Sequence, residues 1–98
     1  MNPLLNHILA AVEVSFGVTK QSICGPMKPQ NVADARMAYY LLASEETRID
    51  ATAIAKHVNR ERSTVNHGCK RIRNVKDVCP SLAFQIEQAR KMFREAIK

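Results

Sequence analysis

The amino-acid sequence predicts an all-α protein, a compact bundle of about six helices that forms one domain. Apolar residues recur every three or four positions along most of the 98 residues, as they do in amphipathic helices. With three glycines and four prolines, the chain lacks the frequent tight turns of an all-β protein. The hydrophobic fraction of 46% suffices for one modest core, so residues 1–98 are treated as a single domain.

The first two helices are predicted from a proline start and two glycine ends. Pro3 suits the first turn of a helix, and Gly17 ends the periodic segment that follows. The apolar positions of this helix are Leu5, Ile8, Leu9, Val12 and Phe16. A second, short helix is capped by Thr19 and stopped by Gly25 and the proline after it. Residues 25–31 contain two prolines and therefore predict a loop.

The third and fourth helices are predicted from apolar periodicity and polar caps. The third helix spans residues 31–43, with Tyr40 expected at the rim of the core. Its inward positions are Val32, Ala35, Tyr39, Leu41 and Leu42. After a polar break, Asp50 or Thr52 caps a short helix that ends at Val58.

The fifth and sixth helices are amphipathic segments that a proline separates. The fifth begins at Arg62 or Ser63 and ends at Val75. Its buried positions are Val65, Cys69 and Ile72. Pro80 predicts a break at residues 77–81. The apolar face of the last helix consists of Leu82, Ile86, Ala89, Phe93 and Ile97.

Residues 51–75, the fourth and fifth helices, have the spacing of a helix-turn-helix. Ala55 is small, as is required where the two helices cross closely. Asn59 tolerates the left-handed backbone conformation that a tight turn needs. Val65 can anchor the second helix on the first. Arg60 departs from the pattern, because the residue after such a turn is often apolar.

The excess positive charge lies in one short part of the chain. Residues 56–76 contain seven Lys or Arg and one acidic residue, which accounts for the whole formal net charge of +6. A surface without a partner would mix charges of both signs, whereas a concentrated basic patch suits a polyanion. We therefore expect a polyanionic partner, and the chemistry of the fifth helix favours double-stranded DNA.

The outward face of the fifth helix has the chemistry of a DNA-reading surface. At about 100° per residue from Val65, the residues that point away from the core are Ser63, Asn66, His67, Lys70 and Asn74. Arg62 and Arg73 flank this face on one side, and Thr64 and Arg71 flank it on the other. Groups suited to base edges lie at its N-terminal end, and cations suited to phosphates lie further along.

Residues 60–72, RERSTVNHGCKRI, resemble the signature of the C-terminal DNA-binding domain of the bacterial replication initiator DnaA. The likeness extends to the segments ILAAVEVSFGVTKQSI, ADARMAYYLL and ATAIAKHV, which are similar to earlier helices of that family. The resemblance implies a fold like that of Trp repressor over nearly all of the chain. It also implies binding to a DNA box, as at a replication origin.

The resemblance and the helix-face analysis together predict two sets of DNA contacts. The base contacts are Glu61, Arg62, Ser63, Thr64 and Asn66. The DNA backbone contacts are Lys28, Lys56, Arg60, His67, Lys70, Arg71 and Arg73. Arg60, His67 and either Lys70 or Arg71 can alternatively support the turn. Arg36 is expected to be structural, paired with a carboxylate or the backbone.

Two departures from the family leave alternatives open. The family's Asp-His pair is Glu61-Arg62 here, so we expect a base preference different from the usual box. The initiators' nucleotide-hydrolysing module is absent, because the chain has no GxxxxGK[ST] loop. The sequence is then an excised domain or a stand-alone relative. The other functions considered are a Trp-repressor-like transcriptional regulator and a basic helical bundle that binds an acidic protein.

Several function classes are not favoured by the sequence. No apolar run approaches the roughly 20 residues of a membrane span, and residues 1–16 lack the features of a signal peptide. We expect a cytoplasmic, nucleoid-associated protein of bacterial or phage origin. The three cysteines lack zinc-ligand spacing, so neither metal nor cofactor is expected. The sequence indicates no acidic residue that would orient His57 or His67 and implies no pocket, so we expect neither an enzyme nor a small-molecule substrate. The oligomeric state stays open, with a monomer considered.

Overall fold

The computed structural model describes residues 2–26 and 29–98, which fold into six helices with no strand among them. In chain order the helices are α1 (Pro3–Phe16), α2 (Lys20–Cys24), α3 (Gln30–Glu46), α4 (Ala51–His57), α5 (Arg62–Lys76) and α6 (Pro80–Ala96). The predicted all-α class and the predicted order of helices are confirmed.

Most helix ends follow the local signals in the sequence. The side chains of Asn2, Thr19 and Asp50 accept hydrogen bonds from N–H groups in the first turns of α1, α2 and α4. Asp50, and not Thr52, is therefore the cap of α4. Gly17 ends α1 in the left-handed conformation with φ 64°, which glycine adopts without strain.

Four sequence predictions about the helices were wrong. The third helix continues to Glu46 instead of ending at residue 43. The sixth helix begins at Pro80, because proline suits the first helical position, where no N–H is needed. Tyr40 is 1% exposed and belongs to the core, because α5 packs over it. Ile97 is 45% exposed, because it follows the last turn of α6.

The third helix is the centre of the fold, since α3 packs against each of the other five helices. Residues 38–43 are all buried, as expected of a helix that is covered on every side. The other helices each contribute apolar residues to the same core, among them Leu5, Ile8, Val12, Ile23, Ile54, Val65, Ile72, Ile86 and Phe93. The positions of α4 and α5 are therefore set by their packing on α3.

The closest approach of α5 to α3 occurs at Gly68. A Cβ atom at this position would lie 2.6 Å from Cδ2 of Tyr40 and 3.4 Å from Cγ of Met37. The Tyr40 ring is enclosed by the core and has no room to move aside. Glycine is therefore required where the two helices meet.

Ion pairs join the C-terminal end of α3 to α6. Arg90 contacts Glu45 and Glu46 at 2.8 Å each, and Arg94 contacts Glu46 at 2.6 Å. Hydrogen bonds from Arg94 and from Arg90 lower the pKa of the Glu46 carboxyl. These pairs explain why α3 continues through polar residues that the sequence suggested as a break.

Hydrogen bonds through His57 connect α1, α3 and α4. The Nδ1 atom of His57 lies 2.7 Å from the hydroxyl of Tyr39, and Nε2 lies 2.9 Å from Oδ1 of Asn6. Because Oδ1 can only accept, Nε2 carries the proton and the Tyr39 hydroxyl donates to Nδ1 of the neutral ring. Burial, together with the nearby charge of Lys20, lowers the pKa of His57. Burial raises the pKa of Tyr39.

We expect Gly68→Ala to destabilise the protein by roughly 1–3 kcal/mol, because overpacking at the α3–α5 crossing outweighs the helix-forming advantage of alanine. Urea unfolding followed by circular dichroism measures the change. Asn74→Ala, at an exposed position of the same helix, is the control and should change stability by less than about 0.5 kcal/mol. A Gly68→Ala protein as stable as the parent would show that the crossing has room for a methyl group.

We expect the free energy of unfolding to decrease as the pH falls through about 6.5, the usual pKa of an unfolded histidine. Below that pH, His57 of the unfolded chain binds a proton that the folded state, with its lowered pKa, binds less readily. Urea unfolding at a series of pH values measures this dependence. His57→Gln should flatten it, whereas His67→Gln, at an exposed position, should retain the parental slope. A parental slope in His57→Gln would assign the effect to another group.

Candidate nucleic-acid interface

The segment between α4 and α5 has the backbone of a helix-turn-helix. Val58 follows α4 and is fully buried, and Asn59 adopts the left-handed conformation with φ 59°. Among the non-glycine residues that the structure describes, Asn59 alone has a positive φ. The N–H of Arg60 then donates to the carbonyl of Ala55 at 2.9 Å, which folds the chain back over the last turn of α4. The turn predicted at Asn59 is confirmed.

Apolar residues fix the orientation of α5 on α4 and α3. Ala55 and Ile54 are 1% exposed, and Val65 and Ile72 are fully buried. Cys69 lies on the same side of α5, and burial raises the pKa of its thiol. With these residues directed inward, the opposite side of α5 faces solvent.

Arg60 joins the turn to the C-terminal end of α2. Its Nη1 atom lies 3.3 Å from the carbonyl oxygens of Cys24 and Val58, and 3.1 Å from that of Asn59. Its Nη2 atom donates to the carbonyl of Gly25 at 2.5 Å. The guanidinium group therefore contacts both the turn and the last residues of α2.

Arg36 approaches the same end of α2 from α3, and the two arginines share the carbonyl of Gly25. Its Nε atom donates to the carbonyl of Ile23 at 2.8 Å, and Nη2 lies 3.2 Å from that of Ser22 and 3.1 Å from that of Gly25. Burial, followed by the charge of Arg60, lowers the pKa of Arg36. The prediction that Arg36 is structural is confirmed. We refer to Arg36 and Arg60 together as the arginine pair.

The outward face of α5 consists of polar and basic side chains. Its exposed members are Arg62, Ser63, Thr64, Asn66, His67, Lys70, Arg71, Arg73 and Asn74. Within residues 2–26 and 29–98, Arg73 is the one member of this set that forms an ion pair, and none forms a side-chain hydrogen bond. The helix contains no acidic residue. These side chains are therefore available to an external, negatively charged partner.

The first turn of α5 brings the candidate base-reading residues together. Glu61 is the N-cap residue, but its side chain accepts no hydrogen bond from the helix. Arg62, Ser63 and Thr64 follow it, and all four side chains are exposed. Without a capping side chain, the N–H groups of Arg62 and Ser63 remain open to an acceptor, whereas that of Thr64 donates to the carbonyl of Glu61 at 3.0 Å. A carboxylate, a guanidinium and two hydroxyls at one helix end can distinguish the edges of different bases.

The candidate phosphate contacts lie further along α5 and on α4. The exposed residues of this set without an internal ion pair are Lys56, His67, Lys70 and Arg71. Arg73 is half exposed, and its Nε atom lies 3.8 Å from a carboxylate oxygen of Glu45. An acidic residue of α3 therefore competes with any phosphate for Arg73. Lys28 lies outside the residues that the structure describes.

Support of the turn was one of the two roles that the sequence left open for Arg60, but its contacts with the end of α2 were not predicted. Its acceptors on α2 are main-chain carbonyls about 35 residues away, and main-chain groups leave no mark in a side-chain pattern. The sequence contained one sign that Arg60 is unusual, because the residue after the turn of a helix-turn-helix is often apolar. The hydrogen bonds of His57 were missed for a different reason, because its partners are side chains that lie far away in the sequence, 18 residues earlier at Tyr39 and 51 residues earlier at Asn6.

In the described part of the chain, no three His, Cys, Asp or Glu residues are grouped so that they could hold a metal ion. Cys24, Cys69 and Cys79 are free thiols. No helix within residues 2–26 and 29–98 is both long enough and apolar enough to cross a membrane.

Comparison with known proteins identifies a family. The model of the bacterial DnaA protein helix-turn-helix matches residues 5–72. The match begins in α1, contains the arginine pair and the turn, and ends within α5. It covers well over half of the chain, and α6 lies beyond it. A comparison with curated proteins gave no match.

Proposed function

The chain belongs to the family of the bacterial DnaA helix-turn-helix, and we propose that it reads the sequence of double-stranded DNA with α5. Domains of this family are non-catalytic and bind double-stranded DNA. We further propose that residues 1–98 form one domain that recognises a specific DNA box, as the binding domain of a replication initiator does.

One observation supports this proposal above the others, namely the composition of the outward face of α5. That face combines donors, acceptors and cations, contains no carboxylate, and has one internal ion pair among its exposed members, at Arg73. Side chains without internal partners are free to bind, and their charge selects a polyanion. The absence of acidic residues from this helix argues against a face that is merely solvated.

The first turn of α5 supplies the proposed base contacts. Arg62 can donate two hydrogen bonds to O6 and N7 of guanine, and Glu61 can accept one from N4 of cytosine. Ser63 and Thr64 suit a thymine methyl group or a nearby phosphate, and Asn66 suits the N6 and N7 atoms of adenine. Because Glu61-Arg62 replaces the family's Asp-His pair, the recognised box should differ from the family's at the corresponding base pairs.

The proposed phosphate contacts surround these base-reading residues. They are Lys56 on α4 and His67, Lys70, Arg71 and Arg73 on α5. Lys28 is proposed as a further contact from the sequence alone. Arg73 would give up or share its contact with Glu45 when DNA is bound. The first open N–H groups of α5 can receive a further phosphate.

A role at a replication origin is proposed in preference to transcriptional regulation, because the matching family is that of a replication initiator. In either role the protein would act at the nucleoid. The position of bound sites in the genome, at an origin or at promoters, separates the two. A basic bundle that binds an acidic protein would instead give saturable protein binding that duplex DNA does not displace.

Selection of bound duplexes from random DNA tests the proposal directly. We expect the selected duplexes to share one box, with a G·C pair at the position that contacts Arg62. Affinity for this box should fall steeply with salt, because bound phosphates release their counterions. Selected duplexes without any shared sequence would reduce the function to non-specific binding.

Arg62→Ala should weaken binding to the selected box by about 1–3 kcal/mol and relax the preference at one base pair. Fluorescence anisotropy with every single-base variant of the box measures both effects. The matched variant Arg62→Lys keeps the charge but cannot form the paired hydrogen bonds. It should therefore relax the base preference at the same position of the box and keep the parental salt slope. An equal loss on every duplex would make Arg62 a phosphate contact.

Lys70→Ala should weaken binding to all duplexes alike and lower the salt slope by about one, because one phosphate contact is lost. Anisotropy titrations over a range of salt concentrations measure the slope. Lys91→Ala is the control, since Lys91 is an exposed lysine on α6, outside the proposed interface. Unchanged binding by Lys70→Ala would place Lys70 outside the interface.

A further inference from the structure

We infer that Arg60 is a positioning residue for DNA reading, which holds the turn against the carbonyl end of α2 and thereby fixes the direction in which the first turn of α5 points. The inference rests on the proposed function and adds a residue that shapes specificity without contacting a base. Of the two roles that the sequence left open for Arg60, a contact with the DNA backbone and support of the turn, the contacts of its guanidinium favour the second.

The contacts of Arg60 connect two separate parts of the chain. On one side its guanidinium reaches the carbonyls of Val58 and Asn59, the residues that make the turn. On the other side it reaches the carbonyls of Cys24 and Gly25 at the end of α2. Both terminal nitrogens of the guanidinium are engaged with main-chain acceptors, which fixes the orientation of the group and directs it toward the protein.

The connection between the turn and α2 requires arginine, and not lysine, at position 60. Arg36 donates to Gly25 as well, and also to Ile23 and Ser22, so two cations converge on one short run of carbonyls. Their mutual repulsion is offset by these acceptors, and the pKa of Arg36 falls because of burial and the charge of Arg60. The planar guanidinium of Arg60 can serve acceptors on opposite sides at once, whereas the compact ammonium of lysine cannot.

The base-reading residues depend on the geometry of the turn. Glu61 and Arg62 follow Arg60 directly, and Glu61 forms no capping bond that would fix the helix end by itself. Without the guanidinium, the turn keeps the left-handed Asn59 and the bond from the Arg60 N–H to Ala55. It loses its connection to α2, and a displacement of about 1 Å is sufficient to spoil a site of this kind.

The two roles of Arg60 predict different results for Arg60→Lys. A phosphate contact needs only a positive charge, so Arg60→Lys would bind like the parent, and Arg60→Ala would weaken all duplexes and lower the salt slope by about one. A positioning residue needs the guanidinium, so Arg60→Lys should lose about tenfold or more in affinity for the selected box. Its binding to unrelated duplexes and its salt slope should stay at parental values.

The experiment measures Kd for the selected box and for an unrelated duplex over a salt series, with the parent, Arg60→Lys, Arg60→Ala and Arg36→Lys. Circular dichroism at the assay temperature shows which variants are folded. Arg36→Lys removes the other half of the arginine pair from α3, so it should give the same selective loss with an unchanged slope. It decides the outcome if Arg60→Lys is unfolded.

The results separate this inference from the proposed function. A parent protein that prefers no duplex would overturn the proposed function, and the inference with it. A parent that prefers its box while Arg60→Lys retains full affinity would overturn the inference alone. A loss of affinity shared equally by both duplexes would also assign Arg60 to the DNA backbone.

Discussion

The carbonyl groups at the end of α2 are the constraint on which the DNA-binding face depends. This helix has five residues and ends at Cys24, just before Gly25, so its last carbonyls cannot be satisfied within the helix. Arg36 from α3 and Arg60 from the turn donate to the carbonyls of residues 22–25. Leaving such acceptors unpaired in a partly buried place is costly. Arg36 and Arg60, which are distant in the sequence, therefore both donate hydrogen bonds to this short segment. The bonds from Arg60 hold the turn in place.

The acidic residues of α3 determine which basic side chains of the protein are neutralised by ion pairs and which face a partner. Glu45 and Glu46 engage Arg90 and Arg94, so these basic residues of α6 are neutralised by their neighbours. In contrast, α5 has no acidic residue of its own and receives a single, longer ion pair at Arg73. The net charge of +6 is therefore presented by residues 56–76, at the end of α4, in the turn and on α5, although basic residues also occur on α6.

Local signals in the sequence were sufficient for the helix order and for the outward face of α5. Caps act within a few residues, and once Val65 is placed inward, helix geometry determines which residues face solvent. Interactions between distant residues could not be predicted in this way. The extension of α3 depends on Arg90, 44 residues beyond Glu46, and the burial of Tyr40 depends on the approach of α5. The contacts of Arg60 depend on main-chain groups, which carry no sequence signal.

Residues 61–64 contribute no side-chain hydrogen bond or ion pair to the part of the fold that the structure describes. The caps, the core and the arginine pair that orient them belong to other positions. Substitutions among these four residues therefore leave the scaffold intact and cost little stability. A lineage built on this scaffold can diverge in target preference one base pair at a time, and each intermediate remains folded. The Glu61-Arg62 pair is the kind of change that such evolutionary freedom permits.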